Sequence, residues 1–544
     1  MGWDREQGIA RLIGLFSLWM FLGLAAASAQ QAAVPAQQQS PPDASTAAPT
    51  LRVTSTLVFL DVTVLDKKGR PVTSGLTRDD FTLSEDKKPQ HIFSFEPPQE
   101  HVLGKKTVEE NPEGKAPVTI LVLDLLNSPF EDFAYIRWSV RRFLMFQPAQ
   151  LASPAEMLVV GNESLEMIQG FTRSRADLLY ALDHLPAALP FKRTNASFFW
   201  ERFAQSFDAL QQIALQNRGI PGRKNIVWVG HGGPSVILNT AEVPYKAAEE
   251  LKQYTHSTVN MLVDARMSLF VIYPGLPVGR SDMSYSAAMA TTQIGDNDPF
   301  TGDISFGMLV NETGGKLFYN RNDVDAEIAA SEQMGSEYYT LTYQPQGDPP
   351  DGQFRRIRVT LRDPNLHAVT KAGYYAPDVH APVDERHERM VDLAEAIQSP
   401  IAFNALDLEL AGLVRHPDTQ TADVTVKLMS KNLTMQPQDA GGSTAQLILG
   451  AVSLDRNRRI LASRLESVRL SSPFANPYDM PAVATHIPVT LRVPRKTASL
   501  RIVVENTDGG RMGAVDLDRK AVDAAPAAST PEPALTPARP AGKP

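Results

Sequence analysis

The chain of 544 residues contains no cysteine. This absence excludes disulfide bonds, a thiol nucleophile, an iron–sulfur cluster and a cysteine-ligated zinc site. The apolar segment at positions 12–24, "LIGLFSLWMFLGL", is shorter than the roughly 20 residues that a membrane-spanning helix needs. Because the chain cannot form disulfide bonds, large apolar cores must hold the fold together.

The sequence also lacks a strongly basic region. Its formal net charge is -8, and no stripe of Lys and Arg is interleaved with aromatic residues. Proteins that bind nucleic acid usually carry such a stripe, so we expect no nucleic-acid partner. The G-x-S-x-G motif of the α/β-hydrolases is missing from the whole sequence, which argues against an esterase or lipase of that class.

The N-terminus has the three parts of a secretory signal peptide. Arg5 and Arg11 precede the apolar segment, and Ala27-Ser28-Ala29 forms an A-x-A cleavage signature. We therefore expect export to the periplasm, the cell surface or the medium, with no membrane span in the mature chain. An uncleaved N-terminal anchor is the alternative, and a lipoprotein anchor is excluded because no cysteine follows the apolar segment.

The rest of the chain divides into segments of contrasting pattern. Alternating apolar and polar residues predict β-structure in two regions, and strands alternating with amphipathic helices predict a doubly wound, mostly parallel sheet between them. The predicted segments are a signal peptide (1–29), a disordered linker (30–50), a small β module (51–97), an α/β domain (116–344), closing β-strands (345–377), a helical linker (378–399), a β-sandwich-like domain (400–522) and a disordered Pro/Ala-rich tail (523–544).

Within the α/β domain, the apolar strand "VTILVL" ends on the acid Asp124. Sites in open α/β sheets form beyond the carboxyl ends of the strands, so Asp124 is a candidate site residue. Ser174 is a predicted helix N-cap, and Gly314 is predicted to end another helix. We predict that the segment "EYYTLTYQP" is an edge-type strand of this domain.

Several stretches resemble a known family when they are taken in order. They are "LDKKGRPVTSGLTRDDFTLSED", "VTILVLDLLNSP", "GRKNIVWVGHGG", "TGGKLFYNRNDVDAEI", "YYTLTYQP" and "FRRIRVTLRD…KAGYYAP". The α/β region resembles a von Willebrand factor A (VWA) domain, and the arrangement over 51–377 is similar to the acidobacterial VWFA-related family of exported proteins. The resemblance implies a Rossmann-like sheet and a protein-binding role.

The resemblance also implies where a metal-ion-dependent adhesion site would lie. Such sites hold Mg²⁺ through D-x-S-x-S, a Thr on a later loop and an Asp after a following strand. Asp124 occupies the first position, Ser128 matches the second Ser, and Thr194 is the candidate loop Thr. Leu126 replaces the first Ser and offers no oxygen, and His231 stands where the later Asp is expected. The implied site is therefore degenerate, with Mg²⁺ or another divalent cation as its possible cofactor.

A structural role for Asp124 is the alternative hypothesis, and we favour it. The carboxylate would cap the helix that starts near Glu131 or accept backbone N–H groups in the "LLNSP" turn. In either case Leu126, Asn127 and His231 would form the rim of a polar patch that can take part in binding.

Two further motifs have simpler interpretations. Asp296, Asp298 and Asp303 in "GDNDPFTGD" faintly resemble a calcium loop but lack its regular spacing and terminal Glu, so a solvated acidic loop is favoured. "GHGGPS" resembles an oxyanion-hole loop, which raises the alternative of a hydrolase that uses His231 and Ser235. No catalytic elbow accompanies it, and a tight strand-to-helix turn explains the glycines.

The sequence thus predicts an exported, non-enzymatic, multidomain protein that binds protein partners. The VWA-like domain would supply the binding surface, as in an adhesion-type protein. The alternative from a different class is a structural envelope or scaffold protein that uses no metal.

Overall fold

The structure is a computed structural model. It describes residues 57–101, 117–162, 165–185, 196–238, 243–274, 298–300, 302–321, 323–346, 351–377, 384–438, 441–474 and 483–527. The predicted signal peptide and the linker at 30–50 lie outside the described residues, as does nearly all of the predicted tail. No helix in the described part combines the length and apolar character that crossing a membrane requires.

The described chain is a mixed α/β structure with one mostly parallel sheet and several antiparallel sheets. Its elements in chain order begin with β1 (Val58–Leu65), β2 (Phe81–Glu85), β3 (Lys88–Gln90), β4 (Ile92–Glu96), β5 (Val118–Asp124), α1 (Phe130–Phe146), β6 (Gln150–Val160), β7 (Leu165–Ser174), α2 (Arg175–Asp183), α3 (Ala196–Asn217), β8 (Lys224–Val229), β9 (Val236–Ile237), α4 (Tyr245–Asp264), β10 (Met267–Pro274), β11 (Asp303–Ile304), α5 (Phe306–Thr313), β12 (Leu317–Arg321) and α6 (Val324–Ser336). They continue with β13 (Tyr339–Tyr343), β14 (Phe354–Leu361), β15 (His367–Val369), β16 (Gly373–Tyr375), α7 (Glu385–Gln398), β17 (Leu408–His416), β18 (Thr421–Met429), β19 (Gln436–Pro437), β20 (Ser443–Leu454), β21 (Ile460–Ser472), β22 (Ala484–Arg492), β23 (Ser499–Asn506), β24 (Arg511–Asp518) and α8 (Arg519–Ala524).

The central sheet has the strand order β12-β10-β8-β5-β6-β7. Neighbouring strands are parallel except β7, which runs antiparallel to β6. Alternate residues of β5 face opposite helical layers: Ile120 and Val122 pack with α3 and α4, whereas Leu121 and Leu123 pack with α1 and α6. The prediction of a mostly parallel sheet covered on both faces is confirmed, and this sheet with its helices is called the α/β unit below.

Local signals set the ends of several helices as predicted. Ser174 caps α2 by accepting a hydrogen bond from the backbone N–H of Asp177. Gly314 ends α5 in the left-handed conformation, with a φ of 72°, which a residue without a Cβ adopts at little cost.

Two distant chain segments build the N-terminal β unit. One sheet has the order β15-β1-β13-β4 and the other has the order β16-β14-β2-β3, and both enclose a single apolar core. The predicted closing strands therefore belong with the N-terminal module, and the α/β unit is inserted between β4 and β13.

The structure corrects the predicted position of the segment "YTLTY". We predict it as an edge-type strand of the α/β domain, but β13 pairs antiparallel with β1 and β4 and lies inside a sheet of the N-terminal β unit. Its alternating pattern explains this placement. Tyr339, Leu341 and Tyr343 enter the core of the β unit, while Thr340 faces a polar cluster described next.

A largely buried charge cluster joins the N-terminal β unit to the α/β unit. Arg266 pairs with Asp61 on β1, with 3.1 Å between Arg266 Nε and Asp61 Oδ2. Arg223 is almost completely buried and donates to Thr63 Oγ1 at 2.8 Å and Ser268 Oγ at 3.0 Å. Burial acts to raise the pKa of Asp61, but the two arginines and Thr340 outweigh it, so the pKa lies below its ordinary value.

The C-terminal β unit consists of two antiparallel sheets around a common apolar core. One sheet has the order β17-β18-β22. In the other, β20 lies between β21 on one side and β19 with β23 on the other, and β24 follows β23. Helix α7 packs between this unit and the α/β unit, and its Leu393, Ala396 and Ile397 share a core with β20.

We predict that Asp61→Asn destabilises the protein by about 3–5 kcal/mol, because Arg223 and Arg266 lose the charge that compensates them. Urea unfolding followed by tryptophan fluorescence measures this, since Trp138, Trp200 and Trp228 all belong to the α/β unit. The matched control is Asp183→Asn in the exposed pair with Arg141, with an expected loss of at most about 1 kcal/mol. Equal effects of the two substitutions would contradict the prediction.

A second prediction concerns Glu156, which is fully buried on β6 and accepts a hydrogen bond from Gln216. Burial raises the pKa of Glu156 to about 8. The folded chain therefore keeps a proton that the unfolded chain releases at lower pH, so its stability falls as the pH rises towards about 8. Glu156→Gln removes this dependence, and we expect it to gain roughly 3 kcal/mol relative to wild type between about pH 5 and pH 8.

Urea midpoints across that pH range measure the effect of Glu156→Gln. Glu166→Gln, on the exposed part of β7, is the control and should leave the pH profile unchanged. A wild-type profile that rises across the range would contradict the prediction.

Candidate functional site

The candidate site lies at the topological switch point of the central sheet. From β5 the chain continues to β6 on one side, and it later returns to β8 on the other side of β5. The connections after β5 and β8 therefore leave the sheet in opposite directions, and in open α/β sheets a binding crevice forms at this position. Asp124 ends β5, and Gly230 and His231 follow β8.

Asp124 is completely buried and accepts hydrogen bonds from four N–H groups. The backbone N–H of Asn127 donates to Oδ1 at 2.8 Å, and the Asn127 side-chain amide lies 3.1 Å from both oxygens. The indole Nε1 of Trp228 and the backbone N–H of Gly232 donate to Oδ2 at 2.9 and 2.8 Å. The buried carboxylate is thus compensated by donors from both loops of the crevice.

The glycine after β8 permits this close packing. A Cβ on Gly230 would lie 2.4 Å from the Cβ of Asp124 and 2.8 Å from Ser128 Oγ, and its φ of 148° disfavours other residues. The sequence interpretation of the "GHGGPS" glycines as room for a tight turn agrees with this contact. A side chain at position 230 would separate the two loops that together enclose Asp124.

His231 forms a second polar contact at the same edge. Its Nε2 lies 2.8 Å from Oδ2 of Asp132, a buried acid in the first turn of α1. The imidazole also stacks on the ring of Tyr273 at the end of β10, with 4.2 Å between ring centroids. His231 therefore links the ends of β8 and β10 to α1, and it remains partly exposed.

The other predicted residues have different surroundings. Leu126 is fully buried in the apolar core, and Ser128 Oγ accepts a weak hydrogen bond of 3.4 Å from the backbone N–H of His231. Thr194 lies outside the described residues. The described contacts join His231 to Asp132 and do not join it to Ser235.

The acidic loop is described only in part. Asp296 lies outside the described residues, and Asp303 begins the short strand β11. Asp298 is not simply solvated, because it accepts a hydrogen bond from Tyr375 Oη at 2.8 Å and lies 3.1 Å from His256 Nε2. These contacts attach Asp298 to α4 and β16.

Sequence reasoning did not identify Trp228 and Asp132 as parts of the site. The contact of Trp228 with Asp124 could have been predicted. An indole N–H in a buried strand needs an acceptor, and Asp124 ends the neighbouring strand. Asp132 carried no comparable signal, since an acid in the first turn of a helix is common on electrostatic grounds alone.

The described residues of the implied site do not fit a metal-ion-dependent adhesion site. The lone pairs of Asp124 that a cation would take are directed at N–H groups, and Leu126 supplies no oxygen. The His231 side chain is engaged with Asp132. Among the described residues, no group of three or more His, Asp or Glu side chains could hold a metal ion.

No protein-family profile and no curated protein matches the chain. A crystal structure of the SpRpn10 VWA domain shows 18% sequence identity, with a match that covers 30% of this chain and 76% of that one at a TM-score of 0.18. This is a weak structural likeness to a VWA domain, and it does not extend to function.

We predict that Asp124→Ala destabilises the α/β unit by about 3 kcal/mol or more, because buried N–H donors lose their acceptor. Ser128→Ala is the matched control, with an expected loss below about 1 kcal/mol because it removes one weak hydrogen bond. Urea unfolding with tryptophan fluorescence measures both, in Mg²⁺ and in chelator. If Mg²⁺ raised the urea midpoint of the wild type but not that of Asp124→Ala, the conclusion that this site holds no cation would be wrong.

Proposed function

We propose that this chain is an exported, non-enzymatic, adhesion-type protein that binds a protein partner through a VWA-like domain. The partner would contact the carboxyl edge of the central sheet, at the crevice between the ends of β5 and β8. The adhesion site there is degenerate, and binding proceeds without a divalent cation.

The observation that carries this proposal is the position of the Asp124 and His231 contacts at the switch point of the sheet. This is where open α/β folds bind their ligands, whatever the family. The N–H donors around Asp124 keep the loops of the crevice in place, which presents a preformed surface to a partner.

Exposed apolar side chains near this edge support a protein partner. Phe130 follows the Asp124 turn and is 61% exposed, and Tyr245 begins α4 after β8 and is 82% exposed. Ile237 on β9 is also exposed. Large apolar residues grouped at one end of a domain are typical of protein-binding surfaces.

The hydrolase alternative has less support than protein binding. The imidazole of His231 lies between Asp132 and Tyr273, and the described contacts provide no bond from it to a nucleophile. The scaffold alternative shares the same fold, and the experiment below separates it from partner binding.

We predict that Phe130→Ser together with Tyr245→Ser abolishes capture of the partner from an envelope extract, because these side chains form the apolar part of the surface. Phe93→Ser is the matched control, since Phe93 is 69% exposed on β4 of the other unit, and it should capture the partner like wild type. Capture should be equal in Mg²⁺ and in chelator. Equal capture by the double variant and wild type would favour the scaffold role.

A further inference from the structure

Strand β21 forms an unusually long open edge of the C-terminal β unit. It extends over 13 residues and pairs along one side with β20. On its other side, no backbone partner is present among the described residues. An open edge of this length is a template for another strand, and proteins generally shorten or protect such edges.

The composition of β21 protects it only through its three charged residues, Arg464, Glu466 and Arg469. The strand contains no proline, glycine or lysine, and most of its side chains are exposed or half-buried. Leu465 at its centre is 48% exposed. Its charges near the centre are Arg464 and Glu466, which lie on the same face and bond each other with 2.8 Å between Nε and Oε1.

The sequence of β21 is complementary to itself when two copies run antiparallel. If Leu465 of one copy faces Leu465 of the other, Arg464 of each copy lies opposite Glu466 of the other copy. In the same register Ile460 faces Leu470, and Ala462 faces Val468. Opposite charges and apolar pairs directly across an antiparallel ladder are stabilising.

Neighbouring registers lack this match. The nearest registers that keep the same face of both strands together place position 464 or position 466 on the twofold axis. With position 464 on the axis, Arg464 faces Arg464, and with position 466 on the axis, Glu466 faces Glu466. Like charges directly opposite each other are destabilising. The charge pattern therefore selects one register, and that register has the twofold symmetry of an isologous dimer.

We propose that two copies of this chain associate through β21, with the strands antiparallel and Leu465 on the twofold axis. The pairing joins the two five-stranded sheets into one continuous sheet and gives the unused N–H and C=O groups of both edges their partners. The proposal is independent of the function assigned to the α/β unit.

The absence of cysteine makes a crosslinking test specific. In the full chain, Leu465→Cys places two thiols directly opposite each other, at a distance that a disulfide bridges after small adjustment. Ser463→Cys is the matched control, because each copy of position 463 faces position 467 and lies about 13 Å from its own counterpart. We expect mild oxidation to crosslink Leu465→Cys but not Ser463→Cys.

A mixture of Ser463→Cys and Ser467→Cys chains should crosslink to each other, which tests the register. Light scattering of the wild-type chain at about 50 micromolar should give twice the mass of one chain, if the dimer has micromolar affinity. A single-chain mass, or crosslinking of Ser463→Cys equal to that of Leu465→Cys, would overturn the proposal.

Charge reversal gives a test that is independent of cysteine. Glu466→Arg sets arginines against each other across the axis, and we expect it to give monomers by light scattering. The double variant Arg464→Glu with Glu466→Arg restores both opposite-charge pairs and should restore the dimer. A double variant that stays monomeric while circular dichroism shows it folded would count against the register.

Discussion

The largely buried ion pair of Asp61 with Arg266 and the buried hydrogen bond from Arg223 to Thr63 determine how the two N-terminal units are arranged. Arg223 precedes β8 and Arg266 precedes β10, so both arginines lie at the amino ends of parallel strands. Asp61 and Thr63 approach them from β1, which belongs to the other unit. The amino edge of the central sheet is therefore covered by the N-terminal β unit, and Asp124 and His231 lie at the opposite, carboxyl edge. Because the α/β unit is inserted between β4 and β13, both of its chain connections lead back to this covered edge.

At the carboxyl edge, burying the carboxylate of Asp124 costs free energy unless other groups compensate its charge. A divalent cation and a set of N–H donors are two alternative ways to compensate that charge. In this chain Asn127 and Gly232 provide donors from the loops after β5 and β8, and Trp228 provides one from β8 itself. The same contacts hold the two loops against each other through Gly230. Hydrogen bonds from these donors therefore fix the arrangement of the two loops around Asp124.

The C-terminal β unit is joined to the α/β unit through α7 rather than through a continuous sheet. Apolar residues of α7 and β20 share a core with the α/β unit, and Arg218 at the end of α3 pairs with Asp392. Glu395 lies near this pair, and burial raises its pKa to about 7 with help from Asp392 and Asp208. This attachment involves α7, β20, β23 and β24, where Arg511 donates to the backbone carbonyl of Gly219.

The sequence by itself determined the elements that depend on neighbours along the chain. Apolar periodicity predicted the alternation of strands and helices, Ser174 and Gly314 marked helix ends, and Asp124 was located at the end of a buried strand. These features follow from local backbone preferences and from burial of one face of each element. The tertiary structure alone decided which strands pair, because the alternating pattern of "YTLTY" suits any sheet with an apolar and a polar face. It also decided that Trp228 and Gly232 would donate to Asp124, since a contact between residues more than a hundred positions apart depends on the assembled sheet.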